Sequence, residues 1–303
     1  MEGVRSGERP IGFAAFAEKY GTEEICREAL FKARWPEGFE CPECGKHGYI
    51  VLKKRKRIQC NSCKHQTSPT IGTVMHNTKL PIKKWFWAIY LVATDKRGVS
   101  AMYLCKQLDI GYKTAWYVLH RIRDAMGNRD KQYLLAGIVE FDDSYFGGPQ
   151  GGGKRGRGTK KSKVLVALSK TPDGKPQYVK MQVVPNLRGR TIGDFAAANI
   201  AEKAIIESDA APNYRTALGP KWSHKYQISG SDPEMLNWLH TVVSNVKAFI
   251  QGTTHGLDSK YLQRYLDEAC YRFNRRFSEK TLFDRLLVAV SHSSTLGLDA
   301  LTG

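Results

Sequence analysis

At 303 residues the chain is long enough for two or three folded units, and a hydrophobic content of 42% marks it as globular rather than disordered. Lysine and arginine total 47 against 29 acidic residues, a formal charge of +18 that favours a polyanionic partner, nucleic acid first among them. The longest wholly apolar run, Trp85 to Ala93, falls far short of the roughly 20 residues that a spanning helix needs, so no membrane anchor is expected; charges at Glu2, Arg5, Glu8 and Arg9 without an apolar leader imply a cytoplasmic protein.

Residues 1–35 read as an N-terminal helical segment, with Phe13, Phe16, Ala17 and Tyr20 and then Ile25, Ala29 and Leu30 near helical spacing. Residues 36–72 carry Cys41-Pro-Glu-Cys44 and Cys60-Asn-Ser-Cys63, two CxxC knuckles that can present four thiolates to one tetrahedral ion. Four protein sulfurs leave no coordination position for substrate, so the expected zinc is structural. Two independent redox pairs are the competing reading, and paired knuckles at this separation disfavour it. Tyr49, Val51, Leu52 and Ile58 supply the short strands of a zinc ribbon. Between them Lys53, Lys54, Arg55, Lys56 and Arg57 form an unbroken basic run, either a solvated hairpin tip or a contact for the DNA backbone. Cys26, Cys105 and Cys270 lie in helix-like segments and read as small core residues.

Residues 78–130 show three helical patterns. The first begins at Pro81 and carries Trp85, Ile89 and Val92; Ser100 then caps a second with Tyr103, Leu104 and Leu108. After Gly111 a third runs from about Lys113 to Met126. A short glycine turn followed by a helix bearing Lys113, Trp116, His120, Arg121 and Arg123 fits a helix-turn-helix, with Lys113, Tyr117 and Arg121 expected to face the DNA groove.

Residues 134–295 are strand-rich, then helix-rich. Residues 137–148 read as a strand ending on Asp142, Asp143 and a glycine turn, followed by strand-like runs at Val164 to Ser169 and Gln177 to Val184. A helix near Thr191 to Ala201 and a fourth strand from Ala204 to Ser208, ending at Asp209, complete a mixed-sheet α/β pattern. Three antiparallel strands, a crossover helix and another strand form the ribonuclease H-like layout, which sets Asp142 beside Asp209. Carboxylates so placed suit two divalent ions for phosphodiester chemistry, magnesium or manganese, with Asp142 bridging both and Asp209 holding one. Strand alternation puts Glu140 and Asp142 on one face and Asp143 on the other. The basic loop 149–163 offers Arg155 and Arg157 to phosphates. In the C-terminal helix Leu262, Leu266, Ala269, Cys270 and Phe273 form a core stripe beside Arg264, Arg272, Arg275 and Arg276.

The segments VEFDDSYFGG, SDAAPNY, SNVKAFIQGTTHG and YLDEACYRFNRR resemble bacterial insertion-sequence DDE-type transposases, specifically the subgroup with an N-terminal zinc ribbon, over about residues 20–290. The resemblance implies binding to terminal inverted repeats in double-stranded DNA, strand cleavage there, transfer of the 3′ end into target DNA, and two or more subunits on the DNA. The third catalytic position departs from the family pattern, because no acid lies between Glu234 and Asp258. Asn245, 36 residues after Asp209, matches the family interval and is the favoured third ligand, with His240 the alternative. His240 and Lys247 are two helical turns apart and share a face, and Lys247 is a candidate phosphate contact. The missing acid keeps open a catalytically inert DNA-binding regulator descended from a transposase, and a nuclease without joining activity.

Overall fold

The computed structural model describes residues 10–148, 161–219, 221–227, 236–254, 256–294 and 297. Two compact units divide the chain, one formed by residues 1–129 and 277–303, the other by 130–276.

In the first unit, α1 (Phe13–Lys19) and α2 (Glu23–Arg34) precede a three-stranded antiparallel sheet of β1 (Tyr49–Leu52), β2 (Arg57–Cys60) and β3 (Gln66–Thr67) in that order. Thr22 starts α2 by accepting from the Ile25 N–H, and Glu23 and Glu24 complement the helix dipole in its first turn. Then follow α3 (Ile82–Thr94), α4 (Ala101–Leu108) and α5 (Tyr112–Asp130). Ser100 caps α4 through the Tyr103 N–H, and Asp109, left-handed at φ 48°, ends it. On α5 the apolar positions Ala115, Leu119, Ile122 and Met126 are buried.

α10 (Leu282–His292) belongs to this unit, where it packs on α2 and α3. Phe283 meets Phe16 at 5.0 Å and Tyr20 at 5.3 Å, and Phe16 stacks on Tyr90 at 4.1 Å. The boundary expected at residue 295 therefore gives way to one at Arg276. An apolar stripe on a helix shows that it is buried without naming the surface that buries it.

In the second unit, β4 (Ile138–Phe146), β5 (Ser162–Lys170), β6 (Pro176–Val184), β7 (Ile205–Asp209) and β8 (Ser223–Gln227) form one sheet in the order β6-β5-β4-β7-β8. The first three strands pair antiparallel, and β7 joins β4 in parallel, as does β8 with β7. The parallel step from β6 to β7 is made through α6 (Gly189–Asn199), which gives the mixed sheet expected from sequence. Two cores sandwich the sheet. Val139, Phe141, Leu165 and Ile206 pack with α6 and with α7 (Pro212–Leu218), whereas Phe146, Val164, Val166 and Leu168 pack with α8 (Asn237–Thr253) and α9 (Leu262–Asn274).

Candidate functional site

The ribbon brings its cysteines together by repeating one turn. Gly45, at φ 69°, donates to the Cys41 carbonyl at 2.9 Å, and Lys64, at φ 63°, donates to the Cys60 carbonyl at 3.2 Å. Each left-handed residue reverses the chain tightly enough for both thiols of a knuckle to face the same point. The sulfurs of Cys41, Cys44, Cys60 and Cys63 all lie within 4.8 Å of one another, with Cys41 to Cys63 and Cys44 to Cys60 both at 3.6 Å. A tetrahedral zinc with bonds of about 2.3 Å sets its sulfurs roughly 3.8 Å apart, so the cluster fits this ion. The Cys63 backbone N–H is the chief cause that pulls the Cys60 thiol down to about 6.

Lys53, Lys54 and Arg55 form a single 3-10 turn after β1, and Lys56, left-handed at φ 49°, leads into Arg57; all five side chains are exposed. On α5, Lys113 is exposed and Tyr117 half-buried. Arg121 departs from the expectation. Its guanidinium is half-buried and donates to the Val74 carbonyl at 3.0 Å, and burial lowers its pKa. This arginine braces the segment after the ribbon instead of projecting into a groove. Arg123 and His120 are buried. Arg155 and Arg157 lie outside the described residues.

The acids are positioned by strand register. β4 and β7 pair as Ile138 with Ile205, Val139 with Ile206 and Glu140 with Glu207, where the pairing ends; Asp142 and Asp209 each lie two residues beyond that last pair. Their parity is that of Glu140 and Glu207, which Lys170 bridges at 3.2 and 2.7 Å. Glu140 also accepts from the Leu239 N–H at 2.8 Å, fixing this as the α8 face. Glu140 therefore holds α8 against the sheet, with Lys170 as its cationic partner. Asp143 points to the opposite face and accepts from the Tyr214 hydroxyl at 3.3 Å, while its own N–H donates to Asp142 Oδ1 at 2.8 Å.

Tyr214, fully buried, has its pKa raised well above the ordinary value by burial, and then by Asp143, Asp142 and Asp209 in that order. One phenol thus feels three carboxylates. Asp142 and Asp209 offer oxygen ligands of the kind a divalent cation takes, whereas Asp143 is turned to the other face. Asp209 Oδ1 accepts from Ala211 N–H at 3.2 Å, so the end of β7 turns directly into α7, with Pro212 at its start. Sequence reasoning missed Tyr214 as a site residue. Its only signal was its place in the SDAAPNY segment, five residues after Asp209.

α8 runs alongside β4 in the same direction. Leu239 meets Glu140 near the helix start, and further along Lys247 Nζ lies 5.2 Å from the Phe146 ring. Burial, then the charge of Lys161, lowers the Lys247 pKa. Leu239, Val242, Val243 and Val246 are buried toward the sheet. At about 100° per residue, His240 and Lys247 fall on one flank of that stripe and Asn245 and Phe249 on the other. Phe249 packs with the cluster to which α9 contributes Leu262 and Leu266, and α9 covers β6, at the sheet edge away from β7. Both His240 and Asn245 are exposed.

A family model of the ISXO2-like transposase domain matches residues 134–274, and one of the transposase zinc-ribbon domain matches residues 21–66. Together they span more than half of the chain. An uncharacterized protein in transposable element ISH50 of Halobacterium salinarum is 27% identical over 127 residues, covering 41% of this chain and 42% of that protein. The similarity thus spans less than half of the relative. Among solved structures, the Mos1 mariner paired end complex with Mn aligns at a TM-score of 0.31 and 14% identity, over 67% of this chain and 77% of that one. A pre-cleavage Mos1 transpososome aligns at 0.27 and 12%, over 69% and 78%. Scores of that size add nothing to the topology described above. Among the described residues no helix is long and apolar enough to cross a membrane.

Proposed function

The chain belongs to the transposases that join a transposase zinc ribbon to an ISXO2-like transposase domain, and from that premise we propose that it cuts the ends of an insertion sequence and joins them to target DNA. The observation that supports this reading is the parallel pairing of β4 with β7 up to Glu140 and Glu207, two residues before Asp142 and Asp209 and on the same α8 face as both. Asp142 and Asp209 would hold magnesium or manganese. A divalent pair between them supplies an activated nucleophile and stabilisation of the leaving oxygen. Asp143 and Tyr214 act behind them, tying β4 to α7.

His240 is taken as the third ligand in this proposal, with Asn245 the alternative, because His240 shares a flank of α8 with Lys247, whose Nζ lies beside Phe146 of β4. Imidazole suits manganese better than magnesium, so manganese is the ion expected to support the higher activity. Lys247, two turns on, is assigned to a DNA phosphate near the scissile bond. Lys53, Lys54, Arg55, Lys56 and Arg57 on the ribbon and Lys113 and Tyr117 on α5 are assigned to DNA, with α4 and α5 as the helix-turn-helix, whereas Arg121 is withdrawn. The zinc is structural, and two or more copies assemble on the element ends.

One observation favours a second reading, an inert DNA-binding regulator: α8 offers no carboxylate between Asn237 and Thr253. Incubating zinc-loaded protein with manganese and duplex DNA bearing the parent element's ends separates the two. Strand nicking that Asp142→Asn abolishes, with 3′ ends recovered in a target plasmid, supports the transposase. Tight binding with no nicking under any divalent ion supports the regulator.

A further inference from the structure

The first unit contains a groove of about 970 Å³ walled by the start of α2, the end of the β1 to β2 turn, the segment after β3 and the start of α3. Its walls bring together Arg27, Lys56, Arg57, Lys79, Lys83 and Lys84. The acid lining it, Glu23, is already engaged. Its Oε1 accepts from Arg27 at 2.8 Å and from the Ile82 N–H at 3.0 Å, and its Oε2 accepts from the Lys83 N–H at 2.9 Å. Glu23 thus caps α3 and neutralises Arg27, leaving the other cations of the lining without a carboxylate from it.

Like charges facing a common concavity repel one another, a cost that a bound polyanion removes. Ser68, Thr70, Asn77 and Thr78 add hydroxyl and amide groups of the kind that bond phosphate oxygens. The cations are spread over separate walls instead of converging on one point, which suits successive phosphates of a strand better than a single small anion.

We propose that this groove seats the sugar-phosphate backbone of duplex DNA from the element end, with Lys79 and Lys83 on one wall and Lys56 and Arg57 on the other. The proposal rests on the transposase reading and deepens it. It divides the basic run of the ribbon: Lys56 and Arg57 grip the backbone inside the groove, whereas Lys53, Lys54 and Arg55 do not line it. It also adds two lysines that the spacing of motifs does not single out.

The test is the affinity of the full-length, zinc-loaded protein for a fluorescent duplex carrying the element end, measured by anisotropy over a series of salt concentrations. Lys79→Gln with Lys83→Gln is compared with Lys19→Gln and Lys46→Gln, an exposed pair outside the groove, so that both variants lose the same net charge. Each phosphate contact contributes about 0.9 to the slope of log affinity against log salt, so the groove pair is expected to lower that slope by about 1.8 and the control pair to leave it unchanged. Lys56→Gln with Arg57→Gln probes the opposite wall and is expected to repeat the loss. Equal effects of groove and control pairs, or no effect of either groove pair, would overturn the proposal while leaving the transposase reading in place. A wild-type protein that binds no duplex would overturn both.

Discussion

Tyr214 ties α7 to β4: its ring packs against Phe141 at 5.2 Å in the core, and its hydroxyl reaches Asp143, the neighbour of Asp142. Removing that hydroxyl should loosen the carboxylates without emptying the core. Groups that orient metal ligands typically cost 10- to 100-fold in metal affinity or activity when lost. Tyr214→Phe is accordingly expected to raise the manganese concentration for half-maximal nicking by about 10- to 100-fold, at an unchanged melting temperature. An unaltered manganese dependence would remove Tyr214 from the site. The strands that carry Asp142 and Asp209 were legible in sequence, because alternation and chain reversals leave a period-two trace, but β4 runs on past Asp142 to Phe146, whereas the sequence pattern ended it on the acids. Arg121 was not legible. Its partner, the Val74 carbonyl, lies 47 residues away, and nothing on the helix itself announces a distant acceptor.

At the scale of the element, the phase of α8 sets His240 and Asn245 on different flanks. Sequence interval selects Asn245, but an interval carries no helical phase; the buried stripe Leu239, Val242, Val243 and Val246 does. His240→Ala is expected to cut manganese-supported nicking at least about 100-fold, the scale of losing several kcal/mol of charge stabilisation, whereas Asn245→Ala should leave it within a few-fold. Single-turnover nicking assays distinguish the two, and the reverse ranking would restore Asn245. The ribbon and the first three strands of the large sheet were readable because their knuckles and apolar runs are local signals. β8 was not, since Ser-His-Lys-Tyr-Gln is a mostly exposed edge strand with no apolar alternation to reveal it. It is recruited by pairing with β7.

At the scale of the whole molecule, the division into two units cuts across chain order, because α10 leaves the strand-bearing unit and completes the core of the first. Phe283 is 6% exposed among Phe16, Tyr20 and Phe86. Phe283→Ala is expected to destabilise the first unit by about 3–5 kcal/mol. Denaturant unfolding followed through the tryptophans of α3 would register it, and a loss below about 1 kcal/mol would show that α10 is dispensable to that core. The chemistry assigned to the second unit depends on Asp142 and Asp209 together holding divalent ions. Manganese titration of the zinc-loaded, DNA-bound protein, followed by electron paramagnetic resonance, tests that claim most directly. The expected result is two bound manganese ions in the wild type, at least one of which is lost in both Asp142→Asn and Asp209→Asn. Wild-type stoichiometry and affinity in either variant would contradict it.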